Sequence, residues 1–263
     1  MEEVHLWRGT VAQRALRSPQ GDLSRFAYFN RQLDYPDWSG QPVLDFGGNT
    51  GSLLRGCGGA ISPENYYCID VLAEAVAEGR KNFPKAHWIH FNRYNCSFNP
   101  EGIAALPVPN LGTEFGMIVA YSVFTHTTLE DMKGLVSQLQ TRLAPGGVVA
   151  FTFIDPHFIA WPEIYEGSNL RWRLERSREM NPDIDIEGLL DLSHGASWCA
   201  LVDGTEIFVN NNGEWNHRER TQTCMTYNAF HTVEFMQREF PSAEIRAPCN
   251  GEMHHCCIMR SEK

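Results

Sequence analysis

The residues best suited to chemistry gather in two short stretches, Asp45-Phe46-Gly47-Gly48-Asn49-Thr50-Gly51 and Tyr121-Ser122-Val123-Phe124-Thr125-His126. A glycine-rich turn after an apolar strand frees backbone N–H groups and lets a small ligand approach the chain closely. The spacing D-x-G-x-x-x-G differs from the G-x-G-x-x-G of dinucleotide enzymes, whose last glycine packs a helix over a pyrophosphate. An aspartate just ahead of the glycines would repel phosphate and suit a cationic ligand. Asp70, 19 residues past Gly51, is placed to accept hydrogen bonds from ribose hydroxyls. The imidazole of His126, with an ordinary pKa of ~6.5, suits a general base at neutral pH. Each feature alone also has a plain structural explanation: a tight turn, a strand-end acid, a histidine leading into a helix.

The elements that must position these residues can be read from periodicity. Val43-Leu44-Asp45-Phe46 is a short apolar run ending in the glycines, which reads as strand, turn and helix start. Further strands are expected at 65–70, 87–91, 115–121 and 148–154, with helices over 71–82 and 128–143. Apolar residues at 129, 132, 135, 136, 139 and 143 follow the helical repeat, and Thr128 with Asp131 forms a capping box. Strands alternating with helices predict an α/β fold with a parallel, doubly wound sheet. The alternation breaks at Asp155. Residues 155–225 suggest polar helical pieces and a hairpin, 197–202 with 205–209 around Asp203-Gly204. Regular structure is expected again as a helix over 228–239, a short strand near 243–247 and a last strand at 253–260. Residues 1–40 look like a helical lead-in, with Leu23, Phe26, Ala27 and Leu33 near helical spacing.

With these elements in order, the chain resembles the class I S-adenosylmethionine-dependent methyltransferases, well over 41–154 and loosely over 226–260. Val43 to Gly51 looks like the family's first motif, with Asn49 where a glycine usually stands; asparagine tolerates the left-handed conformation better than other non-glycine residues. Asp70 matches the acid that holds the ribose. Asn92 falls where the family often has an acid touching the adenine amine. Tyr121 to His126 matches the stretch lining the methyl-transfer site, and Leu143-Ala144-Pro145-Gly146-Gly147 matches the turn into the fifth strand. The resemblance implies a Rossmann-like, seven-stranded sheet with an antiparallel last strand and an α+β insertion, a cap, before the last two strands. It divides the chain into a lead-in or lid at 1–40, a cofactor-binding core at 41–154, a substrate cap at 155–225 and a completing segment at 226–263. The cofactor-contacting positions it implies are Asp45, Gly47, Asn49, Gly51, Asp70, Val71, Asn92, Tyr121 and Ser122.

Methyl transfer is an in-line displacement in which the enzyme chiefly positions the reactants, with a general base for some acceptors. His126 and Tyr121 are the candidate catalytic residues. Tyr28 and Phe29 in the lead-in could close over a cofactor, but ordinary core burial is the favoured explanation. Residues 155–225 hold Trp161, Trp172, Trp198 and Trp215 together with Phe158 and Tyr165. His157, Trp161 and Tyr165 are the candidate acceptor contacts; a satellite core is the competing explanation. Met253-His254-His255-Cys256-Cys257 invites a metal reading. On a strand, however, each face presents only two of these side chains, short of the three or four ligands zinc requires. Buried strand residues are expected there, and no metal.

The 22 Lys and Arg against 32 Asp and Glu give a formal charge of −10. Residues 155–225 carry 6 cations and 13 anions, so −7 of the total sits in the insertion. This disfavours nucleic acid or an anionic membrane as partner and suits a neutral or cationic small molecule. No apolar run reaches the ~20 residues of a membrane span, and Met1-Glu2-Glu3 lacks the pattern of a signal peptide. The eight cysteines show no framework spacing and suit a reducing, cytoplasmic setting. The expectation is a cytoplasmic methyltransferase using S-adenosylmethionine on a small-molecule oxygen nucleophile. Nitrogen and carbon acceptors stay open, as does a cofactor-binding protein without transfer activity.

Overall fold

Val43–Phe46 forms β1 with every residue buried, as befits a strand covered on both faces. The computed structural model describes residues 19–95, 98–155, 182, 196–201, 206–210, 224–248 and 252–261. Around β1 lie β2 (Tyr66–Asp70), β3 (His87–His90), β4 (Phe115–Ala120) and β5 (Leu143–Ile154), all parallel in the order β3-β2-β1-β4-β5. Three antiparallel strands form a separate sheet in the order β7-β6-β8: β6 (Ala196–Leu201), β7 (Glu206–Asn210) and β8 (Cys224–Phe230). Beyond β5 the main sheet continues with β10 (His254–Arg260), antiparallel to β5, and then with β9 (Glu244–Arg246). The result is the expected seven-stranded, doubly wound sheet with an antiparallel last strand.

Alternation along the strands divides the core into two layers. Leu44 and Phe46 of β1 point to one face, where they join Met132, Leu135, Val136 and Leu139 of α4 (Leu129–Gln140) and Phe235 and Met236 of α5 (Val233–Glu239). Val43 points to the other, with Tyr28, Phe29 and Leu33 from α1 (Pro19–Gln32) and its end. Leu53 and Leu54 of α2 (Ser52–Gly56) and Val76 of α3 (Ala73–Asn82) complete that layer. The N-cap half of the capping box expected for α4 is present, the Asp131 N–H donating to Thr128 Oγ1 at 3.1 Å, while the Asp131 carboxylate accepts from the Thr128 hydroxyl rather than from its backbone N–H.

Two expected boundaries are corrected. The helix expected over 228–239 begins only at Val233, because 228–230 belong to β8; Thr232 caps it by accepting the Phe235 N–H. The fifth strand begins at Leu143 rather than Val148, its register with β4 shifting between Phe115 and Met117. The Pro145-Gly146-Gly147 stretch that ends the helical pattern is therefore an irregular strand start, with Gly146 at φ +72°. The insertion leaves and returns at one place. The His231 N–H donates to the Ile154 carbonyl at 3.0 Å and the Val233 N–H to Asp155 Oδ2 at 3.0 Å. No helix among the described residues is long and apolar enough to cross a membrane.

Candidate active site

The strand order reverses between β1 and β4, and in open parallel sheets ligands bind in the crevice beyond the carboxyl ends of the strands at this point. The turns after β1 and β4 are those that carry the two chemical motifs. In the first, Gly47, Asn49 and Gly51 adopt φ of +74°, +54° and +83°, so Asn49 does take the left-handed conformation where the resemblance would place a glycine. The turn is anchored by protein contacts. The Gly47 N–H donates to the Ile69 carbonyl at 2.7 Å and the Asn49 N–H to Asp70 Oδ2 at 2.7 Å, while the Cys68 thiol lies 3.8 Å from the Asn49 carbonyl.

The glycines are required by close packing against the protein itself. A Cβ on Gly47 would lie 2.3 Å from Val123 Cγ2, one on Gly48 2.6 Å from the Asp45 carboxyl carbon, and one on Gly51 2.6 Å from the Trp88 ring. The first of these contacts interlocks the turn after β1 with the turn after β4.

Two carboxylates sit beneath this region, both buried. Asp45 accepts a hydrogen bond from the Tyr66 hydroxyl at 2.6 Å; burial pushes its pKa up to about 6, with the Tyr66 bond and the charge of Arg25 opposing. Asp70, at the tip of β2, accepts from the Asn49 and Leu72 N–H groups, one on each oxygen. Its pKa is raised by burial and held back by those backbone donors. An ionised carboxylate has about four acceptor positions, so hydroxyls of a ligand can still be received. The buried hydroxyls of Thr50 and Ser52 have no hydrogen-bond partner among the described residues. A carboxylate with spare acceptor capacity beside a second buried acid suits a ligand with ribose hydroxyls and a cationic centre.

After β4, Tyr121 packs edge-on against Tyr28 and Phe29, with ring centroids 5.3 and 6.1 Å away. Both lead-in aromatics are fully buried, so they back Tyr121 as part of the core. The Tyr121 hydroxyl lies 3.4 Å from His254 Nδ1. Ser122 has φ +55°, a strained conformation for a serine. His126 ends a short 3-10 turn whose Phe124 is buried against Phe46 and Phe151. Its ring meets Phe98 edge-on at 5.1 Å, and its carbonyl accepts from Asn95 Nδ2 at 2.9 Å. Asn92 is exposed and its side-chain oxygen accepts from Asn99 Nδ2 at 3.0 Å, while Val71 is half-buried with its carbonyl 3.2 Å from His90 Nε2. His157, Trp161 and Tyr165 lie outside the described residues.

Two groups here, Arg25 and Thr152, were not singled out from the sequence, and a third, His254, was weighed there only as a metal ligand. Arg25 of α1 stands over the Tyr121 ring, its guanidinium carbon 5.5 Å from the centroid, and its charge reaches both Asp45 and Asp70. Thr152 of β5 and His254 of β10 contact the turn after β4 from the neighbouring strands. Burial holds His254 near a pKa of about 4, so it is neutral at physiological pH. In the His-His-Cys-Cys stretch, Cys256 faces one core layer and Cys257 the other, as alternation requires. Among the described residues no three His, Cys, Asp or Glu gather as a metal site would require.

Residues 44–149 match a family model described as a methyltransferase domain. No curated protein sequence matches the chain. Among solved structures, a complex of DhpI with SAM and HEP is similar over 98% of this chain and 96% of its own, at 16% identity and a TM-score of 0.50. An S-adenosylmethionine-dependent methyltransferase from Mesorhizobium loti covers 90% of this chain and 98% of its own, at 13% identity and a TM-score of 0.49. The glycopeptide N-methyltransferase MtfA bound to S-adenosylhomocysteine covers 90% and 88%, at 12% identity and a TM-score of 0.49. The match places a methyltransferase domain over residues 44–149, and the strand order of the sheet built around it is the one the resemblance to the class I S-adenosylmethionine-dependent methyltransferases implies.

Proposed function

We propose that this protein is a class I methyltransferase that uses S-adenosylmethionine to methylate a small molecule on an oxygen nucleophile, with His126 as the general base. The observation that carries the reading is the interlock of the two strand-end turns at the switch point, which sets His126 on the same turn as Tyr121 and Ser122. S-adenosylmethionine supplies a methyl group on a sulfonium, and the acceptor must be aligned opposite the sulfur. In this reading Gly47, Asn49 and Gly51 form the bed for the methionine part, Asp70 receives the ribose hydroxyls, and Val71 and Asn92 border the adenine. Asp45 contributes negative charge from beneath the turn. Tyr121 and Ser122 flank the methyl group, and His126 removes the acceptor proton.

Residues 1–40 serve as a lead-in or lid to the core at 41–154, and residues 226–263 complete the sheet. Residues 155–225 form the acceptor cap, with His157, Trp161 and Tyr165 as contacts. The surplus of anions in that segment supports a neutral or cationic acceptor over nucleic acid. The free, buried thiols of Cys57, Cys68, Cys256 and Cys257 suit a cytoplasmic enzyme.

The test offers fractionated cell metabolites and methyl-labelled S-adenosylmethionine to the enzyme. Label is expected to pass to a small, oxygen-bearing product. Bound cofactor without any transfer would support a binding protein instead, and label on nitrogen or carbon would overturn the choice of acceptor.

A further inference from the structure

We propose that Thr152, on β5, is a positioning residue for methyl transfer: its hydroxyl holds the turn after β4 in the shape that presents Tyr121 and Ser122 to the cofactor. The inference rests on the reading of that turn as the methyl-transfer site.

The parallel ladder between β4 and β5 runs through Ala120, paired with Phe151. Two residues on, the backbone ceases to behave as a strand. The Ser122 N–H donates instead to Thr152 Oγ1, at 2.7 Å. At this same residue φ becomes +55°. A left-handed serine costs on the order of 1 kcal/mol and persists only where its surroundings enforce it. Thr152 is well placed to do so. It is fully buried on a central strand, flanked by β4 on one side and by β10 on the other, where Cys256 is its register partner.

The consequence is geometric. Reversal at Ser122 brings its hydroxyl to 3.0 Å from Thr125 Oγ1 and seats Val123 in the space that a side chain at position 47 would need. One side-chain hydroxyl thus ends the ladder, bends the chain and locks the second turn onto the first. Thr152 acts through Ser122, and no direct contact with the reacting atoms is assigned to it. No part of the sequence motif points to this role, because a threonine in an apolar strand reads as filler until the neighbouring strand is known.

The experiment is isothermal titration of the full chain with S-adenosylhomocysteine, for the parent and for Thr152→Val, Thr152→Ser and Ser122→Gly, alone and combined. Thr152→Val keeps the shape and removes the acceptor, and is expected to weaken binding about tenfold. Thr152→Ser restores the hydroxyl and should bind within about threefold of the parent. Glycine at 122 adopts the left-handed conformation without strain, so the added Val substitution should cost less in that background. Should Thr152→Val fail to fold, the Thr152→Ala and Thr152→Ser pair, both lacking the methyl, isolates the hydroxyl. Equal affinities for Val and parent, or for Ala and Ser, overturn the proposal. So does equal weakening by Val and Ser, because that would report packing. If the parent itself binds no S-adenosylhomocysteine, the reading of the site fails, an outcome distinct from a parent that binds and a Val variant that binds equally well.

Discussion

At the scale of single residues, His126 and His231 show how differently a histidine can be used. His126 is half-buried at the turn after β4, beside Phe98 and within electrostatic reach of His254. Once the acceptor is known, His126→Ala should lower kcat by about 10²–10⁴ while S-adenosylhomocysteine binding is preserved; an unchanged kcat would reject the base role. His231 is fully buried where the insertion rejoins the core, stacked on Phe235, with neither ring nitrogen hydrogen-bonded among the described residues. Burial lowers its pKa to about 4, with the charge of Glu239 opposing. A histidine depressed in the folded state stabilises the fold above its unfolded pKa of 6.5 and loses that contribution as pH falls toward 4. The gap corresponds to roughly 3 kcal/mol. Urea unfolding of the parent and of His231→Gln should therefore give stabilities that shift in the variant's favour by about that amount between pH 7 and pH 4. A difference that does not move with pH would contradict the burial of this ring.

At the scale of elements, the contact of α3 with β3 reverses an ordinary propensity rule. Gly79 lies inside α3, where alanine would normally gain about 1 kcal/mol. A Cβ there would meet the Trp88 ring at 2.2 Å, and the indole is held by its bond to the Phe83 carbonyl at 3.0 Å. Overpacking costs about 1–3 kcal/mol. Gly79→Ala should thus destabilise the fold, and become stabilising in a Trp88→Leu background, as read by chemical denaturation. A Gly79→Ala chain at least as stable as the parent would show that the Trp88 contact is not enforced.

The same scale explains what could be read in advance. Apolar runs, the Thr128 cap and the glycine turn mark their elements locally, so β1 to β4 and α4 were readable. The β8–α5 boundary was missed because the pairing of β8 lies across the insertion, on β6, whereas 228–239 alone supports a helical reading. The Thr232 cap was the available signal. The contacts of Thr152 and His254 with the turn after β4 were not readable for a related reason: they join strands that become neighbours only in the folded sheet.

At the scale of the whole molecule, α1 is bound to the far edge of the chain. The Tyr28 hydroxyl donates to the His254 carbonyl at 3.0 Å, Gln32 Nε2 to the Ala247 carbonyl at 3.0 Å, and Arg31 pairs with Glu252. These bonds hold Arg25 over Tyr121 and within reach of the two buried acids, so lead-in, turns and last strand form one connected frame around the switch point. On the proposed reading, this frame binds S-adenosylmethionine at the Asp70 end of β2. Isothermal titration of the parent and of Asp70→Asn with S-adenosylmethionine tests it most directly. The parent is expected to show one site with a Kd on the order of micromolar, and Asp70→Asn binding weakened about tenfold or more, since an amide cannot replace the paired acceptors of a carboxylate. No heat of binding to the parent at high micromolar cofactor, or equal affinity in both proteins, would contradict it.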